Sequence, residues 1–266
     1  MTHRQITGLR GIVTGASGGI GEAIARQLSQ AGARVLLVAR RADRLEKIVA
    51  DLSVGASSAE VANRVALLAG DITDPAVRTE AVARGQALFG GLDLLVNNAG
   101  VGSLGRFEQS SPERLRQVME VNFFAAVELT RAALPAMYAG RTPIVVNVGS
   151  ILAHRAIPHA GEYCASKFAL RGFSESLRAE LAPRGIDVLL VTPGSTETEF
   201  FDHALEQGKY PWQQPRGVSP DVVARRTVSA IRRGKHEVTI GLNSRLLIWA
   251  NRLFPGVVDR IMARYG

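Results

Sequence analysis

Tyr163 and Lys167 stand four residues apart in Tyr-Cys-Ala-Ser-Lys, inside a stretch whose apolar spacing predicts a helix. At that separation both side chains lie on one helical face, one turn apart. A phenol near pKa 10 is a poor acid or base at neutral pH, but a neighbouring ammonium favours its phenolate. The pair is therefore a candidate proton-transfer device. The same pair also occurs on solvated helix faces with no chemistry attached, so its meaning depends on what else the chain brings to it.

A second constellation suits phosphate. Thr14-Gly15-Ala16-Ser17-Gly18-Gly19-Ile20-Gly21 follows an apolar run and opens a helical period. Small residues let the backbone turn tightly against a pyrophosphate, and the helix start offers N–H groups and a positive dipole end. A strand before and a helix after are the context that gives such a turn weight. The end of the next strand selects between the two nicotinamide cofactors. An acid about 20 residues beyond the glycines would accept from a ribose 2′-hydroxyl. This chain has Ala39-Arg40-Arg41 there, two guanidiniums suited to forked bonding with a 2′-phosphate. NADP(H) is the expected cofactor in preference to NAD(H), held mainly by Arg40 with help from Arg41 and Ser17.

Short β-branched runs alternate with helical periods along the whole chain. Strands are predicted at 11–14, 34–39, 64–69, 92–97, 143–149, 187–192 and 236–240, and helices at 19–30, 43–52, 75–89, 112–138, 161–181 and 220–233. The strand interiors are apolar at consecutive positions, as expected of strands buried on both faces of a parallel sheet. The alternation predicts an α/β fold, a Rossmann-like doubly wound sheet of seven parallel strands flanked by helices, in a single domain spanning residues 1–266. Residues 195–217 have no clean period and carry Phe200, Phe201, Tyr210 and Trp212. A loop of that length beyond a strand's carboxyl end reads as a substrate loop. Residues 243–266 read as a basic, amphipathic helical extension, for which packing on its own domain or a second subunit is expected over contact with an anionic membrane.

With 266 residues and 46% hydrophobic residues, the chain has ample material for a continuous core and is not a disordered sequence. Its single cysteine, Cys164, excludes an internal disulfide and is expected to pack as a small hydrophobe. No leader or membrane-spanning run is apparent, and a cytoplasmic protein is expected. Of the net charge of +8, six units fall within 219–266, where nine Lys and Arg face three acids. These cations are spread over amphipathic helices without interleaved aromatics, so a solvated basic face is expected rather than a nucleic-acid surface. His154 and His159, in the loop between residues 150 and 163, are expected at the substrate pocket, but they lack metal-ligand spacing and no metal is expected.

Taken together, these motifs resemble the short-chain dehydrogenase/reductase family over nearly the whole chain. Its glycine motif matches residues 14–21, and its Asn-Asn-Ala-Gly element matches Asn97-Asn98-Ala99-Gly100. Its catalytic asparagine, serine, tyrosine and lysine match Asn122, Ser150, Tyr163 and Lys167, with the usual 13 residues between serine and tyrosine. The resemblance implies cofactor contacts from Gly15, Ser17, Gly18, Gly19, Ile20, Gly21, Arg40, Arg41, Asp71, Ile72, Asn98, Ala99, Gly100, Tyr163, Lys167, Pro193, Gly194, Thr196 and Thr198. Gly149 and the run Ile151-Leu152-Ala153-His154 depart from the commoner family sequence, which bears on substrate preference.

The resemblance implies hydride transfer between NADP(H) and a carbonyl or secondary alcohol. Tyr163 would donate the proton in reduction, Lys167 would lower its pKa and bind the ribose, Ser150 would polarise the carbonyl oxygen, and Asn122 would hold a proton-relay water. A pocket wall of Leu152, Ile157, Phe200, Phe201 and Trp212 suggests a hydrophobic ketone or aldehyde. The alternatives are a 3-oxoacyl thioester, a steroid-type hydroxyl, or, more remotely, a non-catalytic cofactor-binding sensor. The complete catalytic set speaks against the last. A homodimer or homotetramer is expected from the resemblance.

Overall fold

The computed structural model describes residues 3–53, 64–200, 204–207 and 217–266. Seven parallel strands form one sheet in the order β3-β2-β1-β4-β6-β7-β9. They are β1 (Arg10–Thr14), β2 (Arg34–Ala39), β3 (Val65–Ala69), β4 (Leu94–Asn97), β6 (Ile144–Val148), β7 (Asp187–Pro193) and β9 (Glu237–Ile240). Two short strands, β5 (Ser103–Leu104) and β8 (Leu205–Gln207), pair in parallel beside it. The helices are α1 (Gly19–Gln30), α2 (Ala42–Leu52), α3 (Pro75–Phe89), α4 (Pro112–Met119), α5 (Ala125–Met137), α6 (Gly161–Leu181), α7 (Pro220–Arg232), α8 (Leu242–Leu253) and α9 (Pro255–Met262). The predicted doubly wound, seven-stranded fold is thus the observed one.

The unbroken apolar runs have a direct cause in the layering. Val13, Val35, Leu37, Val96 and Val146 pack on one face against α1, α2 and α7. Their chain neighbours Ile12, Leu36, Leu95 and Val145 pack on the other against α3, α5 and α6. Side chains alternate across a strand, so a sheet covered on both faces needs apolar residues at every position. Helix starts are also locally encoded. Asp74, Ser111 and Ser219 each precede a proline, and each side chain accepts a backbone N–H of the first turn. Proline loses nothing at that position, because its missing donor would have no helical partner there.

Two elements differ from the sequence expectation. The single helix predicted at 112–138 is interrupted, since Glu120–Phe124 forms a π-helical turn between α4 and α5. One extra residue per turn swings Asn122 inward, where it is buried. Within 195–217, expected to be without regular structure, β8 ties the segment to the loop beyond β4.

Candidate active site

The sheet reverses its winding between β1 and β4, and their carboxyl ends open a cleft there. Asn98 closes the base of this cleft, its Nδ2 donating to Thr14 O at 3.0 Å and Gly15 O at 3.2 Å. Gly15 has φ +63°, and a Cβ on it would stand 2.8 Å from Ala99 Cα. A Cβ on Gly21 would lie 2.3 Å from Gly15 O. Only glycine lets strand, turn and α1 approach this closely. The turn therefore forms a cradle whose N–H groups and helix N-terminus face the cleft, as an anion requires.

The cavity has a volume of about 1130 Å³. Every predicted cofactor-binding residue lines it except Gly21, which sits behind the turn. Of the predicted substrate residues, Leu152, Ile157 and Phe200 line it too, while Phe201 and Trp212 lie outside the described residues. His154 and His159 do not line it. His154 is instead buried beside Glu237, with Nε2 2.9 Å from Oε1.

At the outer end Arg40 and Arg41, the expected 2′-phosphate partners, both line the cleft but are held differently. Arg40 is largely exposed and stands 3.8 Å from Asp71 Oδ2. Arg41 is the one fixed over the glycine turn, donating from Nε to Ser17 Oγ at 3.2 Å and from Nη2 to Ser17 O at 3.3 Å. Arg44, not identified from sequence, lines the same end, one turn into α2. Its spacing of three from Arg41 was the available signal. Glu199 reaches both, 2.8 Å from Arg44 Nη1 and 3.6 Å from Arg41 Nη1.

At the inner end α6 carries Tyr163 and Lys167 on one face, and both are buried. Lys167 Nζ donates to Val148 O at 3.0 Å and stands 5.7 Å from the Tyr163 ring centroid. Burial pulls the ammonium down to about pKa 8. Burial also pushes the Tyr163 phenol above its ordinary value, and a hydrogen bond with Ser150 offsets only part of this. The expected lowering of Tyr163 by Lys167 is therefore not the net result in this arrangement. Ser150 is held at the end of β6, where its Oγ accepts from Leu152 N at 3.1 Å.

Asn122 stands behind these groups. Its Oδ1 accepts from Val101 N at 2.7 Å, while Nδ2 donates to Val101 O and to Ser166 Oγ, both at 3.0 Å. Protein groups thus engage both of its polar atoms. The side chain clamps the π turn to α6 and to the loop after β4. The apolar wall is formed by Ile151, Leu152, Ile157 and Tyr163, with Phe200 edge-on to Tyr163 at 5.7 Å between centroids, and Leu104 and Ile248 pack behind it. Cys164 is buried beneath it, and burial raises its thiol pKa, as suits the packing role.

Sequence reasoning also missed Glu162, beside the tyrosine. Its Oε1 accepts from Arg114 Nη2 at 2.6 Å and Nε at 3.0 Å, with Ser110 also donating. Both ionic side chains are almost fully buried. Burial works to raise the Glu162 pKa, but the bonds from Ser110 and Arg114 outweigh it and hold the carboxyl below its ordinary value. Glu162→Ala would strand a buried guanidinium and is expected to cost about 3–5 kcal/mol, read as a lower urea midpoint at unchanged slope. Because the folded-state pKa is depressed, this stabilisation is present above about pH 4.5 and is lost as pH falls through the folded value. Glu162→Gln should therefore show a flatter acid limb. An unchanged midpoint in the alanine variant would refute the role.

Residues 11–209 match the short chain dehydrogenase family. The chain is 32% identical to dehydrogenase/reductase SDR family member 7B of Bos taurus over 258 residues, covering 95% of this chain and 79% of that protein. It is 38% identical over 208 residues to nodulation protein G of a Rhizobium species, covering 77% of this chain and 80% of that one. A short chain dehydrogenase of Burkholderia cenocepacia, solved in complex with NADP, superposes with a TM-score of 0.80 at 28% identity, covering 97% of this chain and 99% of that one. The chain belongs to the short-chain dehydrogenase/reductase family, a family of oxidoreductases.

Proposed function

We propose that the protein is an NADPH-dependent reductase of a hydrophobic ketone or aldehyde, reversible as an alcohol dehydrogenase. The observation that carries this reading is a single cleft with Arg41 and Arg44 at one end and Ser150, Tyr163 and Lys167 at the other. The glycine cradle between them fits a pyrophosphate, and the solved relative from Burkholderia cenocepacia binds NADP. Bound there, a nicotinamide cofactor supplies the hydride.

The chain's own residues handle the carbonyl oxygen. Hydride addition to the carbonyl carbon leaves an alkoxide, and Ser150 and Tyr163 aim hydroxyl groups where that charge develops. Tyr163 then gives up its proton, completing the alcohol. Its raised pKa keeps the phenol protonated at rest, and an alkoxide is a strong enough base to take the proton. Lys167 offsets the phenolate left behind. Asn122 fixes the segment that carries both. Leu247 and Met262 extend the apolar wall at the cleft mouth, which favours an extended apolar substrate such as a polycyclic ketone or long acyl chain over a compact polar one.

Following NADPH absorbance against ketones, aldehydes, polycyclic ketones and 3-oxoacyl thioesters tests the activity and separates its substrate classes. Charge-assisted hydrogen bonds contribute about 1.5–3 kcal/mol each, so kcat/KM for NADPH should exceed that for NADH by about 100-fold. Arg41→Ala should remove at least tenfold of that preference and leave NADH turnover nearly unchanged. Glu199 shares the two guanidiniums that a 2′-phosphate would use, so Glu199→Gln is expected to lower KM for NADPH a few-fold. An equal or better kcat/KM with NADH would reject the cofactor assignment.

A further inference from the structure

We propose that α8 and α9 form a docking surface for an anionic lipid membrane. Along α8, Ser244 and Ile248 turn inward, while Leu242, Leu246, Trp249 and Leu253 face outward, exposed by 59–72%. Their spacings of four, three and four place them on one helical stripe. Phe254, Val257, Ile261 and Tyr265 continue it along α9, where Val258 turns inward. The expected packing on the chain's own domain thus takes one side of these helices and leaves a contiguous apolar surface on the other. Patches of this extent mark an interaction site.

The flanking charge identifies the partner. Arg245 and Arg252 are seven residues apart on α8, along one edge of the stripe, and Arg260 follows on α9 and Arg264 in the turn just after it. The sole acid in 242–266 is Asp259, which already pairs with Arg155 at 2.6 Å. A second copy meeting this face about a two-fold axis would bring four more arginines and only the same, already paired Asp259 to meet them. An anionic bilayer surface attracts them instead, and apolar residues next to arginines, with Trp and Tyr at the boundary, suit the headgroup region. No helix among the described residues is long and apolar enough to cross a membrane, so the contact is interfacial.

The position of this surface gives it a use. Leu242, Leu247 and Met262 line the cleft, and Leu242 is 72% exposed, which sets the start of α8 at its mouth. Docking brings that mouth to the lipid, from which an apolar carbonyl compound enters without crossing water. This use rests on the reductase reading; the docking itself does not.

Co-sedimentation of the full chain with vesicles of mixed phosphatidylserine and phosphatidylcholine, and of phosphatidylcholine alone, tests the docking without any turnover. Binding to the mixed vesicles should be at least tenfold stronger and should fall as salt is raised. Arg252→Gln with Arg264→Gln should weaken it about 25-fold, at about fivefold per basic residue. Trp249→Ser with Leu253→Ser should abolish it, while both variants keep the wild-type melting temperature. Full recovery in the supernatant with both vesicle types overturns the proposal, as does binding that neither variant changes. A dimer in light scattering that Trp249→Ser with Leu253→Ser dissociates, with no vesicle binding, assigns the face to a second copy and overturns it equally.

Discussion

Tyr163→Phe is expected to lower kcat by about 10³-fold or more while leaving NADPH affinity within about twofold. The substitution removes one oxygen and preserves the ring, so the edge-on contact with Phe200 survives. What disappears is the phenolic proton positioned beside Ser150 at the inner end of the cleft. A positioned general acid contributes about 10²–10⁴-fold, and the lost hydroxyl also withdraws a hydrogen bond from the developing alkoxide. Stability should fall by about 1 kcal/mol, because the buried hydrogen bond with Ser150 is lost. Fluorescence titration with NADPH separates the two readouts. Near wild-type turnover would reject Tyr163 as the acid; lost NADPH binding would show that its role is structural.

The residues on which that prediction depends were legible for a physical reason. A sheet buried on both faces leaves little freedom in its strands, so apolar runs such as Val-Leu-Leu-Val declare themselves. A helix that starts after Ser-Pro or Asp-Pro also carries its own signal. The glycine turn is recognisable because a Cβ at Gly15 or Gly21 would overlap backbone or the Asn98 amide. The less legible features depend on partners far apart in sequence. Arg44 and Glu199 are separated by 155 residues, and neither type nor spacing announces their meeting over the cleft. Glu162 looks like an ordinary surface acid of a helix start until Arg114 closes on it. The π turn at Glu120–Phe124 has no proline or glycine to mark it, and the apolar period runs through it. The C-terminal helices show the same limit, since amphipathic spacing reveals an apolar face but not whether anything covers it.

Lys167→Met is expected to make the protein more stable at pH 7 and to reduce turnover about 100-fold or more. The ammonium is buried with one hydrogen bond, to Val148 O, and its pKa falls from 10.5 to about 8. At about 1.4 kcal/mol per unit, holding it charged costs on the order of 3 kcal/mol at pH 7. Methionine fills similar volume without that penalty, so a net gain of about 1–2 kcal/mol should remain after the bond to Val148 is lost. The sign of the pH dependence is fixed. Between pH 8 and 10 the unfolded chain binds more protons at this lysine than the folded one, so wild-type stability rises with pH across that window. The variant lacks this rise, and the two unfolding midpoints should converge as pH approaches 10. Above pH 10 Tyr163 acts in the opposite direction, because its raised folded-state pKa makes stability fall with further alkali. On the proposed reading, catalysis supplies the reason to keep a destabilising cation. Lys167 Nζ stands 5.7 Å from the Tyr163 ring centroid, and unit charges at about that separation are worth about 3 kcal/mol at an effective dielectric of about 20, close to 100-fold in rate if they act fully in the transition state. On the proposed reductase reading, Lys167 opposes folding at the place where it assists proton transfer, a conflict expected of functional groups. A variant that unfolds at a lower urea midpoint at pH 7 would show the bond to Val148 outweighing desolvation, and would remove this account of the site.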